Sequence, residues 1–464
     1  MSPPLVALCT AGAEPSERSS QQSLAVAALP PVVKRLLLLQ CVLSAANSWA
    51  FGALFDIDLY LLFGHLNTFV GACESVRGIA GLIAAVPLGY MADKYGRSFA
   101  LRLSASFAPL IAVAAAIALL AKLPWLILLS VAAWSVCQQG MLGAMTAWLA
   151  DLVPPGEARS RVMGWQVVAQ QIGMCGGPLV QLLVIWLCGQ EKDTWNPGFL
   201  AALLLSGLLL VALVTPLAWS SAIANADHLM RLRAEGPLQG SNSSLSGSQA
   251  AEPQEVEAED VVPEWARASL RSGCKVNWVV VILLEASFTL TLLFAGMSAK
   301  YFSLFFKQDF GFDAEMICML NAAFPLVVAG LVPLCGTFAR RFGEVPGILL
   351  WTFLGGAMHV FLARASSASS AVAFFLLRQA FMKSRDPLYQ TLIMDCLEKR
   401  FRGRFGSITS MRSVTWAGSS FIGGIVADRN HSDYRLVFDI SGVLIATIST
   451  AVVLPLLYLV PRRR

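Results

Sequence analysis

Apolar residues in this chain show neither the alternation of a half-buried strand nor the one-sided face of a soluble helix; they gather in long runs. Starting beyond Lys34 and Arg35, these runs cover residues 36–62, 68–91, 99–121, 124–151, 162–188 and 198–219. After a polar interval they resume at 276–305, 314–338, 345–363, 369–394, 406–427 and 436–460. A helix of about 20 residues crosses the hydrocarbon layer of a bilayer while satisfying its own backbone hydrogen bonds. The pattern therefore predicts an all-α membrane protein of twelve transmembrane helices arranged as two pseudo-symmetric six-helix bundles. Its expected divisions are a disordered cytoplasmic tail (1–33), an N-terminal bundle (34–219), a cytoplasmic linker (220–275), a C-terminal bundle (276–460) and a basic tail (461–464).

Composition supports lipid as the solvent. Of 464 residues, 56% are hydrophobic and 14% charged, against roughly 25% charged in a soluble domain, and the mean hydropathy is +0.65. This excludes a soluble enzyme, a disordered chain and a nucleic-acid binder. Ten cysteines are scattered without a C-x-x-C pair, and the four histidines stand apart, so neither a disulfide framework, a metal nor any other cofactor is expected. Lys94, Arg97 and Arg102, Arg159 and Arg161, Arg340 and Arg341, and Lys399, Arg400, Arg402 and Arg404 alternate with connections poorer in Lys and Arg. Positive charge is retained on the cytoplasmic side, which predicts that both termini are cytoplasmic.

Three local patterns recur about 247 positions apart, as in a duplicated six-helix unit. Gly89 and Gly96 recur as Gly336 and Gly343, Arg159 and Arg161 as Arg402 and Arg404, and Gly176-Gly177 as Gly423-Gly424. The segment G-Y-M-A-D-K-Y-G-R, Gly89 to Arg97, between the second and third runs, resembles the G-x-x-x-D-[RK]-x-G-[RK] loop of the major facilitator superfamily of secondary transporters. G-T-F-A-R-R-F-G from Gly336 is a degenerate copy in which Arg340 replaces the acid. The resemblance covers nearly the whole chain except the tail and linker. It implies that Asp93 reaches toward the eleventh helix and helps hold an outward-open state, so Gly89, Asp93, Gly96, Arg97 and Arg340 form a conformational gate, joined by Arg385 and Asp386. Gly164, Gly173 and Gly177-Pro178 are similar to the superfamily's antiporter signature in the fifth helix, but Gln181 stands where another glycine is expected. In the fourth helix Val136 occupies the place of a signature arginine, so that residue's proton transfer is not carried over.

Ionisable and polar groups inside hydrocarbon are expensive and so mark function. By depth, Gln138 and Gln139, Gln166 and Gln170, Glu285 and Arg378 lie near the midplane and form a candidate substrate site. Arg378, Met382, Arg385 and Tyr389 follow helical spacing and should share one face of the tenth helix, which the resemblance places along the pathway. The alternative is that Glu285 and Arg378 form a structural ion pair. Asp56, Asp58, Glu74 and Glu285 are candidates for proton coupling, with Glu74 and Arg77 spaced to pair; a solvated helix end is the plainer reading of the outer acids. The expected function is transport of a small organic solute by alternating access, coupled to protons. A proton-independent uniporter, an organic-anion exchanger and a receptor-like relative remain alternatives, whereas no catalytic constellation points to an enzyme. The partners expected are a small-molecule solute, a proton and the lipid bilayer, with the chain a monomer.

Overall fold

A computed structural model describes residues 30–153, 157–188, 195–220, 275–396 and 399–460. Most of the predicted N-terminal tail and linker, and the basic tail, lie outside these residues, as do the side chains of Arg159, Arg161, Arg402 and Arg404. Every apolar run is helical. The spans are α1 (Pro31–Ala50 and Ala53–Leu62), α2 (Asn67–Tyr95), α3 (Arg97–Ser106 and Ala108–Leu120), α4 (Pro124–Leu152), α5 (Glu157–Leu187) and α6 (Pro197–Ala218). The second set is α7 (Val276–Ala299 and Phe302–Phe310), α8 (Ala314–Phe342), α9 (Glu344–Ala363), α10 (Ala368–Ser384 and Asp386–Cys396), α11 (Lys399–Arg429) and α12, which starts at Tyr434 and ends at Leu459. Within α12, Ile445–Ser449 forms a wider π-turn.

Ten of the spans are long and apolar enough to cross a membrane by length and composition alone. The other two, α10 and α11, carry more charge: Arg378, Lys383, Arg385 and Asp386 in the former, and K-R-F-R-G-R at the start of the latter. Large apolar side chains are exposed along the spans, Ile83, Val86, Leu110 and Trp186 among them. Such a surface is stable only against lipid.

The packing repeats between halves. In the first, α1 packs on α5 and α6, α2 on α4, and α3 on α4 and α6; in the second, α7 packs on α11 and α12, α8 on α10, and α9 on α10 and α12. The halves meet through α2 against α11 and α5 against α8, two pairs that exchange under the duplication. Local geometry repeats as well. Gly96 and Gly343 both take positive φ, 100° and 103°, to turn the chain between α2 and α3 and between α8 and α9. Both α1 and α7 are interrupted, at Phe51-Gly52 and at Lys300-Tyr301. The G-Y-M-A-D-K-Y segment expected to be a loop is instead the last two turns of α2, and only Gly96 makes the turn.

Candidate functional site

The break in α1 opens onto a cavity of about 230 Å³ between the halves. Its wall combines Asn47, Ser48 and residues 51–54 of α1, Arg77 of α2, Met174, Pro178 and Gln181 of α5, Lys300 from the α7 break, and Ile317, Cys318, Asn321 and Phe324 of α8. Drug-sized pockets run from about 300 to 1,000 Å³, so this one suits a small solute.

Four charged side chains cluster beside it. Lys300 Nζ donates to both oxygens of Asp56 at 3.2 Å and lies 3.1 Å from Glu74 Oε2. Arg77 Nη1 is 3.8 Å from the same Glu74 oxygen, while its Nη2 donates to Asn47 Oδ1 at 2.5 Å and to Gln138 Oε1 at 2.9 Å. Trp134 Nε1 also donates to Asn47 Oδ1. The cluster joins α1, α2, α4 and α7, and so both halves. The two bases belong to the cavity wall, whereas Asp56 and Glu74 stand behind them. Of the outer acids, Asp56 and Glu74 come together as one unit, while Asp58 is buried on another face with Oδ2 unpartnered among the described residues.

The remaining expected site residues are dispersed. Gln138 is tied to Arg77, and Gln139 packs against α2 at Gly81. Gln166 donates to Thr146 Oγ1 and to Gln40 Oε1, and Gln170 is exposed. Glu285 does not meet Arg378: its carboxylate is held by Arg412 of α11, through Nε at 3.0 Å and through Nη2. Arg378, Met382, Arg385 and Tyr389 do share a face, but that face is the interior of the second bundle and does not line the cavity. Arg378 is only 2% exposed, donating to Gln379 and lying over the Phe302 ring. Arg385 donates to Thr352 of α9, and the Tyr389 hydroxyl meets Ser287 of α7. Helix 10 breaks at Arg385, and Asp386 opens its second piece.

Among the described residues, the members of the predicted gate at the basic end make local contacts. Asp93 is 67% exposed and pairs with Arg97, four residues on in the chain. Arg340 donates to Thr337 of its own helix, and Gly89 has free space around it. Gly173 and Gly177 behave differently, since a Cβ at either would meet α1 at Cys41 or Ser48, which accounts for the antiporter-like glycines as close packing.

Among the described residues, polar contacts between the halves gather at the opposite end. Asp428, near the end of α11, accepts from the Asn67 and Thr68 backbone N–H groups at 2.9 and 2.8 Å and from both their side chains, capping α2 in trans. Tyr434 donates to Asn67 Oδ1, Tyr301 donates to Asn67 O at 3.4 Å, and Gln308 Nε2 donates to Tyr60. Neither Lys300 nor Asp428 stood out in the sequence. Lys300 looked like a residue at the end of a span because the run was read to 305, whereas α7 reaches Phe310 and places it inside; Asp428 gave no signal beyond an acid closing an apolar run.

A family model described as Major Facilitator Superfamily matches residues 37–295, and one described as MFS_1 like family matches residues 283–461. No curated protein matches the chain by sequence. Among solved structures, the fold is similar to a POT family transporter in complex with a thioalcohol-conjugated peptide, at 12% identity and a TM-score of 0.63 over 92% of this chain and 96% of that one. It is also similar to the inward-open xylose transporter XylE from E. coli, at 12% identity and 0.62 over 93% and 96%. A bacterial homologue of the human lysosomal transporter Spinster, inward-facing and occupied, gives 12% and 0.62 over 96% and 97%.

Proposed function

The chain belongs to the Major Facilitator Superfamily, and from that premise we propose that it carries a small organic solute across a membrane by alternating access, driven by protons. The observation that supports this reading best is the asymmetry of the interface among the described residues: the halves are laced together at one end by Asp428, Tyr301 and Tyr434 and part around a polar cavity beside a broken helix. Rocking two such units about a midplane site is how duplicated transporters work. The basic end carries Lys94, Arg97, Arg340 and Arg341, which supports reading it as the cytoplasmic face, with the laced end as the outer one. The conformation is then inward-open, in keeping with the likeness to inward-open and inward-facing transporters.

Coupling follows from where the charges sit. Lys300 rides on the second half, and its carboxylate partners ride on the first. When the outer end opens, Lys300 withdraws and leaves Asp56 and Glu74 close together without it. Two neighbouring carboxylates in a semi-dry site cannot both stay ionised, so one takes a proton from outside. Closing the outer end returns Lys300 and expels that proton inward.

The test is uptake from a metabolite mixture into proteoliposomes holding the purified chain, with an imposed pH gradient and mass-spectrometric readout. The expected result is accumulation of one or more solutes that an uncoupler abolishes. Accumulation unaffected by the uncoupler removes the proton from the scheme, and no accumulation at all removes transport.

A further inference from the structure

We propose that the solute held in this cavity is a small organic carboxylate, received by Arg77, Lys300 and the open N-terminus of the second piece of α1, and that it binds together with one proton so that the loaded site gains no net charge. This rests on the transport reading of the same cavity, but it concerns what binds.

The sign of the wall is the first argument. Its charged members are Arg77 and Lys300, and no carboxylate joins them among the described residues. The other polar groups are neutral: Asn47, Ser48, Gln181 and Asn321. Phe51, Met174, Ile317 and Phe324 supply an apolar side, which fits a solute with one charged end and a hydrocarbon body. An amine would find no acid facing it.

The second argument is the broken helix. Ala53–Leu62 starts at Gly52, with no side chain capping it. Gly52, Ala53 and Leu54 are themselves part of the wall. The first N–H groups of a helix lack intrahelical partners and carry its positive end, so this ten-residue piece presents donors to an anion alongside the two side-chain cations.

Charge balance supplies the proton. Asp56 and Glu74 offset Lys300 and Arg77, so the empty cluster is neutral when both acids are ionised. A carboxylate arriving alone would leave an uncompensated negative charge in a poorly solvated site. Protonating one acid restores neutrality and also releases a Lys300 donor, since the ammonium has three and now spends them on Asp56 and Glu74. The groups around the two acids are consistent with this exchange: Lys300 and Tyr301 from α7, and Cys73 and Arg77 from α2. From α4, Gln138 holds Arg77, and α11 contributes a backbone carbonyl to Ser75.

The experiment uses the full chain in nanodiscs and three matched series of probes: benzoate, benzamide and benzylamine, with the C3 to C8 straight-chain acids, amides and amines beside them. Thermal unfolding and isothermal titration calorimetry read binding, and titrations in two buffers of different ionisation enthalpy read proton uptake. A carboxylate is expected to bind and raise the Tm where its amide and amine do not, with about one proton taken up per anion at pH 7. Lys300→Arg should keep the binding, and Lys300→Gln should weaken it by at least roughly tenfold. If the single Gln variant fails to fold, the double Asp56→Asn/Lys300→Gln variant, which removes the pair as a unit, takes its place. Binding by amines or amides in preference to acids, no binding by any acid, or no proton uptake overturns the proposal. Carboxylate binding without flux in proteoliposomes upholds it and refutes the transport reading instead.

Discussion

Two interior cations divide the work at the level of single residues. Lys300 binds acids across the halves, and Arg412 binds Glu285 within one half. Removing one partner of a desolvated pair strands the other charge, which costs about 3 kcal/mol, whereas removing both costs much less. Arg412→Gln should therefore lower the unfolding temperature of the purified protein by several degrees, and combining it with Glu285→Gln should recover most of that loss. A double-mutant cycle showing no recovery would mean the pair is not coupled. Depth along the apolar runs did single out Glu285 and Arg378 as unusual, and the spacing along α10 correctly gathered Arg378, Met382, Arg385 and Tyr389 on one face. What the sequence lacked was direction. In a soluble helix the polar side identifies the buried one, but a span that is apolar all round carries no such marker. Only the fold shows that this face turns toward Phe302, Thr352 and Ser287 and not toward the cavity.

Elements were the most legible level. Each of the twelve runs is helical among the described residues, and for ten of them length and hydropathy suffice, because lipid leaves helices as the only workable conformation for such runs. The interruptions were not legible, since Phe51-Gly52 and Lys300-Tyr301 interrupt runs that stay apolar on both sides; both lie at the cavity. The turn glycines were half legible. Gly89 and Gly96 looked like a pair bracketing a loop, yet Gly89 sits in open helix and only Gly96, like Gly343, adopts a backbone that L side chains avoid, with φ near 100° and ψ above 150°. That region is essentially glycine's own, and a side chain there costs about 1 to 3 kcal/mol. Gly96→Ala and Gly343→Ala should each lower thermal stability, while Gly89→Ala should be neutral or slightly stabilising through better helix propensity. Equal losses at all three positions, measured by unfolding of the purified variants, would contradict the assignment of the turn.

For the whole molecule, the question is what holds the outer end shut. Asp428 is the centre of that contact, accepting from two backbone and two side-chain donors at the start of α2. Among the described residues nothing equivalent engages Asp93 at the basic end, where the largely exposed carboxylate pairs with Arg97. The two acids thus sit at opposite ends of the same helix pair, α2 and α11. In this conformation Asp428 is engaged across the helix pair while Asp93 pairs with Arg97 of its own half; the superfamily resemblance implies that Asp93 engages the eleventh helix when the protein opens outward. Losing the Asp428 contacts exposes the freed donors to water once the end opens, so the closed form loses the difference and the open form loses nothing. A bias of about 3 kcal/mol would move the ratio of the two states roughly a hundredfold. Spin labels at the exposed positions Leu66 and Asn430 report the outer end, and labels at Tyr95 and Phe342 report the basic end, on a background with the native cysteines replaced. In Asp428→Ala the first distance should lengthen and the second shorten, while Asp93→Asn should drive both the other way or leave them unchanged. Distances that stay at the wild-type values in Asp428→Ala would show that apolar packing of α2 on α11 closes the outer end without the carboxylate.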